Sequence, residues 1–520
     1  MNFTTRCTVE FFTILALVCA WPAASAGGDT APGGETKKLA AGKELFTREW
    51  LPGDKRSHAG DGLGPVFNAR SCVACHHQGG TGGAGPKQTN VTIVSVFVAG
   101  DLFTVTTGVT IDAVPDSATS LKQPDRAKLA EIHPALRTEG SFPLHRFGAD
   151  KQFAKWKAEI LGRRFAVTSA EDGLTELTAQ ATSSEVTQSL PLLSTLFHGA
   201  EETRKVDGAK VVLIPSQRNA PALFGAGLID RIPARVLEEV ATEQARAADA
   251  ESKKNVASKA ASTQPDTPSQ KSIPLTGRVA RLRDGRIGRF GWKAHVATLR
   301  EFTLQACANE LGLEVPGFPR AAPPWKKDYK APGLGMTAEQ CDLLVGFVAS
   351  LSRPARRAPE TPQHAAEIAV GQQLFSSVGC AACHRPKLGD VEGIYSDLLL
   401  HDMGQALSGA GFYGTSIPVT DSADPAEPLP VNRSLGQTAT KEKPPKFGAG
   451  AREWRTPPLW GIRDSAPYLH DGRAETIADA VALHGGEGLI AAQAFFRLSP
   501  REQQQVELFL QSLAAPTTPQ

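Results

Sequence analysis

The sequence lacks a strong charge of either sign. Its 56 lysines and arginines nearly balance its 54 aspartates and glutamates, which leaves a formal charge of +2. A chain without a basic excess has no electrostatic basis for binding nucleic acid or an anionic membrane surface. Small neutral substrates and protein partners fit this composition better.

Long hydrophobic runs are also missing after the first 26 residues, so we predict no transmembrane segment. The chain does begin with a shorter run, from Phe11 to Ala20, which follows Arg6 and precedes Ala24-Ser25-Ala26. A basic residue, an apolar run and a small-residue cleavage site in this order are typical of a secretory signal peptide. We therefore predict a signal peptide over residues 1–26 and a periplasmic mature protein that begins at Gly27.

Cysteines are few, and two of the eight lie in the predicted signal peptide. Four of the remaining six form two C-x-x-C-H motifs, each preceded by a G-x-x-L-F segment. Such a motif can attach a haem through two thioethers and supply an axial histidine, whereas the alternative for a single copy is a zinc knuckle or a chance match. Two copies favour two covalently bound haem c groups, attached through Cys72, Cys75, Cys380 and Cys383, with His76 and His384 as axial ligands.

Two cysteines remain outside these motifs, Cys307 and Cys341. In an oxidising compartment they could form a disulfide. They could equally be buried free thiols. The sequence leaves both possibilities open.

The chain also contains an internal duplication. Residues 336–354 resemble residues 498–516, and both segments combine a capping box with apolar residues at helical spacing. We interpret this helix as the last of a cytochrome c unit. The predicted fold is mainly α, with two cytochrome c-like helical haem domains over residues 27–357 and 358–520.

The first predicted domain is larger because of insertions. A run rich in β-branched residues from Asn90 to Val114 suggests a hairpin, and we place a small β-rich subdomain at about residues 90–215. Residues 251–274 contain mostly Lys, Ser, Ala, Thr, Gln and Pro, which predicts a disordered surface loop.

The distal side of the second haem is predicted to carry His484. Ile477, Val481 and His484 fall on one face of a helix, which directs the imidazole toward the macrocycle. A buried structural histidine is the alternative role. Met403 is the rival ligand and His401 a weaker one. An iron with two histidine ligands has no position for substrate and serves as an electron relay.

The first haem is predicted to have an open distal side. Aligning Leu299 with Ile477 places Ala306 where the second copy has His484, and alanine cannot bind iron. Glu310 follows one turn later, where a carboxylate can move a proton between the oxygens of bound peroxide. Its alternative role is a solvated carboxylate at a helix end. Gln305 and His295 are candidates of lower rank.

Four segments together resemble a known family. They are ARSCVACHHQGGTG, GRFGWKA, LLLHDMG and, most specific, REWRTPPLWGIRDSAPYLHDGRAETIADAVALHGGEG. Over nearly all of the mature chain the sequence resembles the thiol oxidoreductase-like di-haem oxidoreductases, within the superfamily of bacterial di-haem cytochrome c peroxidase and MauG.

The resemblance implies a function and several residue roles. Peroxide reacts at the N-terminal haem of such proteins, and the C-terminal haem relays electrons from a small donor protein of the cytochrome c or cupredoxin type. Trp292 matches the tryptophan between the haems, Glu310 the catalytic glutamate and His484 the variable sixth ligand. Arg218 and Arg455 match arginines near the haems, where a guanidinium suits a propionate. Relatives are often dimers, and the sequence leaves the oligomeric state open.

The sequence departs from this family pattern at two places. The glutamine that accompanies the catalytic glutamate in peroxidases falls on or near Phe302. The asparagine that helps to bind an inter-haem calcium falls near Gly225 to Gly227, so calcium has no support here, although Ser465-Ala466-Pro467 keeps a similar loop.

The leading hypothesis is an exported, peroxidase-like di-haem oxidoreductase. An electron-transfer cytochrome with two six-coordinate irons is one alternative. A MauG-like oxidase acting on a partner protein or an organic substrate is the other. Because no thiol pair lies near a predicted active-site motif, we do not expect thiol chemistry.

Overall fold

The computed structural model describes residues 32–99, 122–161, 202–261, 275–326, 328–354, 356–409, 431–432 and 447–516. The predicted signal peptide and the second strand of the predicted hairpin lie outside these residues. The helices are α1 Pro32–Thr47, α2 Arg126–Leu129, α3 Lys151–Leu161, α4 Ala226–Asp230, α5 Ala234–Ala261, α6 Leu299–Glu310, α7 Ala338–Ser350, α8 Pro362–Ser377, α9 Ile477–Ala482, α10 Leu489–Phe496 and α11 Pro500–Gln511. Among the described residues, no helix combines the length and the apolar character needed to cross a membrane.

Each C-x-x-C-H segment follows a helix that packs against the last helix of its half. Helix α1 precedes the first motif and packs on α7, and helix α8 precedes the second and packs on α11. Both α7 and α11 begin with the predicted capping boxes, in Thr337 with Gln340 and in Ser499 with Glu502. Each of these caps satisfies backbone N–H groups that the first turn leaves without helical partners.

A glycine makes each of these helix pairs possible. A Cβ on Gly42 would lie 2.2 Å from the Leu343 carbonyl oxygen of α7, and a Cβ on Gly371 would lie 1.8 Å from the Gln505 carbonyl oxygen of α11. No side chain fits at such a distance, because the obstruction is backbone. The glycine of the repeated G-x-x-L-F segment therefore allows the close helix contact that sets each motif in place.

The β structure is concentrated in the insertion of the first half. The strands are β1 Val66–Phe67, β2 Val91–Ala99, β3 Ser141–Leu144, β4 Phe147–Gly148, β5 Glu202–Val206, β6 Ala209–Arg218, β7 Ala280–Arg281, β8 Ile287–Gly288, β9 Lys387–Leu388, β10 Val391–Glu392, β11 Leu400–Asp402, β12 Val431–Asn432 and β13 Glu453–Arg455. Strands β5, β6, β2 and β12 lie in that order in one sheet, and β3 also pairs with β2. The pairing of β2 with β6 is antiparallel from Val91↔Arg218 to Val98↔Val211.

The sheet of the insertion has its own apolar core. Strands β2, β3 and β6 bury Val96, Phe142 and Leu213, each at most 2% exposed, against Leu129 and Leu136. The residues that contact the first haem motif belong to a separate core, which includes Phe46 and Phe347. The sheet thus packs around an apolar core separate from the one beside the first motif.

The structure answers two expectations about the first half. The prediction of a disordered loop over residues 251–274 is wrong at its start, because α5 continues to Ala261. A polar helix of this kind buries little, but it extends without interruption from an amphipathic beginning. Residues 262–274 lie outside the described part. Of the two alternatives for Cys307 and Cys341, the structure has buried free thiols.

Candidate haem sites

The second motif lies on a cavity of about 500 Å³. Its walls include the motif residues Cys380, Cys383 and His384, together with Met403 and His484. This volume is within the range of about 300–1,000 Å³ that is usual for cofactor sites. Thiols, an imidazole and an apolar wall are the groups that a covalently attached haem requires, so the residues fit that group.

The first motif lies on a narrower cavity of about 110 Å³, lined by Cys72, Cys75 and His76. The donor groups again fit a haem. The volume is below the usual range, so a haem at this position requires the lining side chains to move apart.

Both motif histidines are held in the same way. His76 Nδ1 lies 3.2 Å from the Gly83 carbonyl oxygen, and His384 Nδ1 lies 2.9 Å from the Tyr395 carbonyl oxygen. Because each Nδ1 is engaged with backbone, Nε2 is left as the atom that can bind a metal. Burial lowers the pKa of each of these histidines to about 4, which keeps the imidazole neutral at pH 7 as ligation requires.

The motif cysteines are poor nucleophiles in this environment. Burial raises the pKa of Cys72, Cys75 and Cys380 to about 12, so the thiols remain protonated at neutral pH. Protonated thiols at these positions remain available for covalent attachment of a haem.

Helices α6 and α9 correspond to each other in the two halves, and both begin at the residue expected from the sequence alignment. Thr298 caps α6 and Thr476 caps α9, each through a capping box, so Leu299 and Ile477 are both first helical residues. Seven residues later, Ala306 lines the narrower cavity and His484 the larger one. The alignment made from sequence therefore places a methyl group and an imidazole at equivalent positions beside the two motifs.

His484 has the features of a ligand. Its Nδ1 lies 2.6 Å from the Ala480 carbonyl oxygen, which repeats the arrangement of the two motif histidines. Burial lowers its pKa, and a charge on His484 would lower the pKa of His384, so the two rings are near each other. Met403 is a neighbour of His484, since Met403 Cε and His484 Cβ both lie 3.2 Å from the position of a Cβ at Gly488.

His401 is engaged elsewhere. Its Nε2 lies 3.0 Å from Asp397 Oδ2 and its Nδ1 lies 2.7 Å from Glu487 Oε2. With a carboxylate at each ring nitrogen, neither nitrogen has a lone pair to offer to iron. This removes His401 from the candidates for the sixth ligand.

Glu310 lies at the narrower cavity and is held by a residue that the sequence did not indicate. Asn68 Nδ2 donates a hydrogen bond of 2.8 Å to Glu310 Oε2, while Asn68 Oδ1 accepts one of 2.8 Å from the backbone N–H of Arg146. Asn68 is buried. It therefore connects the β insertion to the carboxylate beside the first motif. Proximity to the motif was the only signal, because spacing does not show which amide meets which carboxylate.

The other residues of α6 divide into two faces. Phe302, Thr303 and Ala306 line the narrower cavity with Glu310. Gln305 is buried on another face of the helix, which weakens its candidacy. His295, just before α6, does line this cavity. Phe302 stacks on Phe290 at 5.7 Å, so an aromatic ring lies on or near the position where the sequence resemblance implies a glutamine in peroxidases.

Trp292 lies between the two motifs. It lines both cavities, its Nε1 donates a hydrogen bond of 2.8 Å to the Asn219 carbonyl oxygen, and its own carbonyl oxygen accepts from the Arg455 N–H at 2.9 Å. These bonds fix the indole in the wall that the cavities share.

Buried cations surround this wall. Arg455 lines the larger cavity and Arg218 the narrower one, and burial lowers the pKa of each to about 10. A guanidinium in such a place suits a carboxylate ligand such as a haem propionate. Lys293, which the sequence did not indicate, lies 3.7 Å from the ring centre of Trp454 and donates to the carbonyl oxygens of Gly450, Ala451 and Glu453, each at 2.8 Å.

The loop Ser465-Ala466-Pro467, which resembles part of a calcium site in sequence, accepts a hydrogen bond from a side chain. The Ala466 carbonyl oxygen accepts a hydrogen bond of 2.7 Å from Gln78 Nε2. This contact connects the loop after the first motif to the second half of the chain.

Comparison with protein families identifies the region that carries His484. Residues 433–513 match the family described as "Di-haem oxidoreductase, putative peroxidase". The C-terminal part of the chain is thus similar to the di-haem oxidoreductases. The matched segment contains Arg455, His484 and the helices α9 to α11.

Solved structures give two further likenesses. Hydrazine synthase of Kuenenia stuttgartiensis is 23% identical with a TM-score of 0.22, over 35% of this chain and 57% of that chain. A MauG-like protein associated with microbial copper homeostasis is 16% identical with a TM-score of 0.24, over 46% of this chain and 77% of its own. The chain thus spans about 57% of the hydrazine synthase chain that it matches. Comparison with curated proteins returns no match.

Proposed function

We propose that this chain is an exported di-haem c-type oxidoreductase that reacts with hydrogen peroxide beside the first motif and relays electrons through the second. The observation that carries this proposal is the difference between Ala306 and His484, each seven residues after the first residue of its helix, at the narrower and the larger cavity. His484 lies two residues beyond the end of α9. One site can be saturated by a side chain, whereas the equivalent position at the other holds only a methyl group. A site that reacts with a small oxidant needs an open coordination position, whereas a relay site does not.

The attachment residues have a common role in both halves. Cys72 and Cys75, and in the second half Cys380 and Cys383, would form thioethers with the haem vinyl groups. When bound, each haem supplies an iron that can change its oxidation state and, at the first site, a coordination position for a small oxidant. His76 and His384 would each bind one of the two irons through Nε2, and His484 would be a further ligand of the second.

Glu310 is proposed as the general acid and base. Its carboxylate would accept a proton from the inner oxygen of a bound peroxide and return it to the outer oxygen. The outer oxygen would then leave as water, with the two electrons for O–O cleavage supplied by the first haem. Asn68 supports this role because its N–H donates to Oε2, and such a bond favours the ionised form that can act as a base. Asn68 is accordingly a positioning residue.

Trp292 is proposed as the connection between the sites. Its indole lines both cavities, and its hydrogen bonds to Asn219 and Arg455 restrict its motion. A fixed aromatic ring in a shared wall shortens the distance that an electron must cross. A small donor protein, of the cytochrome c or cupredoxin type, would reduce the second site from outside.

The test is Glu310→Gln, which keeps the shape and removes the base. We expect peroxide-driven oxidation of the first haem, followed by stopped-flow absorbance, to slow by a factor of about 100 to 10,000. Glu339→Gln changes an exposed carboxylate on α7 and is the matched control. Equal rates for the two variants would remove Glu310 from the mechanism.

Asn68→Ala should have a smaller effect on the same rate. Loss of one hydrogen bond to a charged group is worth about 1.5–3 kcal/mol, so we expect a rate about ten- to a hundredfold lower, with an apparent pKa of the rate that moves upward. A loss of rate with an unchanged pH profile would mean that Asn68 acts only through folding.

The same preparation separates the alternative functions. A resting electron paramagnetic resonance spectrum without a high-spin component, together with no cyanide binding, would favour a pure electron-transfer cytochrome. Slow steady-state turnover with reduced cytochrome c and peroxide would favour a MauG-like oxidase, for which the aromatic Phe302 in place of a glutamine is the supporting observation.

A further inference from the structure

A buried charged cluster, formed by Asp397, His401 and Glu487, lies beside the second motif. His401 is 2% exposed, and its two ring nitrogens each meet a carboxylate, at 3.0 Å and 2.7 Å. Asp397 is fully buried. His401 Nδ1 also lies 3.8 Å from Cys383 Sγ, a haem attachment atom in the function proposed above.

The hydrogen bonds define the charge of this cluster. Asp397 Oδ2 accepts from Gln244 Nε2 at 2.9 Å, and Asp397 Oδ1 accepts from the Leu399 N–H at 3.0 Å. Glu487 Oε2 accepts from the Thr276 N–H at 3.0 Å, and Glu487 Oε1 accepts from the Thr276 hydroxyl at 3.2 Å. Since all four carboxylate oxygens face donors, both carboxylates are ionised.

The imidazole between them must then donate from both nitrogens, which makes it an imidazolium. Although the ring is buried, the Asp397 carboxylate at 3.0 Å and the Glu487 carboxylate at 2.7 Å stabilise this charge. Two negative charges and one positive charge leave the cluster with a net charge of −1. Such a net charge in the protein interior acts over a longer distance than it would in water.

The cluster is also part of the wall of the larger cavity, since His401 and Glu487 both line it. We propose that Asp397, His401 and Glu487 hold a fixed negative charge against the second haem and thereby lower its reduction potential. The inference rests on the proposed attachment of a haem at Cys380 and Cys383. The negative charge stabilises the ferric iron, which carries one more positive charge than the ferrous iron.

The cluster also ties the two halves of the chain together. Gln244 belongs to α5 and Thr276 to the segment after it, both in the first half, while the three charged residues belong to the second. Gly277 approaches so closely that a Cβ there would lie 2.4 Å from His401 Cε1. The same residues thus set the charge and hold the first half against the second cavity.

Glu487→Gln is the main variant, because glutamine fits the existing bonds. Its oxygen can accept from His401 and the Thr276 N–H, and its amide can donate to the Thr276 hydroxyl, which can rotate to accept. The net charge of the cluster changes from −1 to zero. In a spectroelectrochemical titration, we expect the ratio of reduced to oxidised second haem at a fixed potential to rise about tenfold, which equals about 59 mV for one electron.

His401→Gln has the opposite expected sign, because it removes the positive member and leaves two carboxylates. The ratio of reduced to oxidised haem should fall. Glu475→Gln removes an exposed carboxylate close by in the sequence and should change the ratio less than twofold. Shifts of the same sign in Glu487→Gln and His401→Gln, or a shift in Glu487→Gln no larger than in the control, would overturn the inference.

A separate measurement distinguishes failure of this inference from failure of the proposed function. The pyridine haemochrome spectrum counts the attached haems. A chain without a haem at Cys380 and Cys383 contradicts the proposed function. Ligand atoms of Cys383, Asp397 and His401 all lie within 4.8 Å of one another, so a bound metal ion in that haem-free chain, detected by elemental analysis, would instead make the cluster a metal site.

Discussion

The two motif-bearing halves of the molecule share a framework and differ in what surrounds it. In each half a helix with an internal glycine packs on the last helix of the unit, and a phenylalanine ring, Phe46 or Phe375, lies 6.4 Å from the motif histidine. The cavities nevertheless measure about 110 Å³ and about 500 Å³. A common framework therefore places the attachment groups, while residues outside it decide the chemistry.

The difference lies in two kinds of neighbour. The first site has Ala306, Glu310 and, through Asn68, a contact with the β insertion. The second has His484 and a buried charged cluster. The carboxylate proposed to transfer a proton and the proposed sixth ligand thus lie in different halves, in agreement with the proposed division into a reaction site and a relay site.

The largest effect is expected when Ala306, the residue that distinguishes the first site from the second, is replaced by histidine. Ala306→His should convert the first site to a six-coordinate one, with loss of the high-spin resonance signal and a reaction with peroxide at least about 100-fold slower. Ala306→Asn introduces a polar side chain that does not bind iron and is the control. A high-spin signal that persists in Ala306→His would show that this position does not face the metal.

A second test measures how acid affects the stability of the first half. His145 of the insertion lies 3.0 Å from the Asn309 carbonyl oxygen, next to Glu310, and burial lowers its pKa from 6.5 to about 4. The unfolded chain therefore binds this proton first, and stability falls as the pH decreases from 6.5 through about 4. The loss from this residue is about 3 kcal/mol at its largest.

Denaturant unfolding at several pH values, followed for the first half, measures this effect. His145→Gln keeps a donor for Asn309 but does not titrate, so its stability should depend less steeply on pH in that range. His58→Gln changes an exposed histidine and should leave the slope as it is. Parallel slopes for all three proteins would contradict the role of His145.

A third test compares how closely α1 packs on α7 and α8 packs on α11. Gly42→Ala and Gly371→Ala improve helix propensity by up to about 1 kcal/mol, but each added methyl group meets backbone. We expect a net loss in free energy of unfolding of about 1–3 kcal/mol in each half. Gly346→Ala, on α7 with open space around it, should instead stabilise the protein slightly. Stabilisation by all three substitutions would mean that the helices can separate.

Much of the framework could be predicted from the sequence, because it depends on local patterns. The cysteine and histidine spacing, the capping boxes at Thr337 and Ser499, and the pairing of Leu299 with Ile477 are all read along one segment at a time. A cap and a helical period are properties of neighbouring residues, so they can be recognised in the sequence.

What only the tertiary structure decided involves residues far apart in the chain. Asn68 meets Glu310 across 242 positions, and Thr276 meets Glu487 across 211. No periodicity or spacing encodes such pairs, because they depend on how complete helices and loops pack. For the same reason the sequence offered His401 as a possible iron ligand, whereas the fold places a carboxylate at each of its nitrogens and turns it into part of a charged wall.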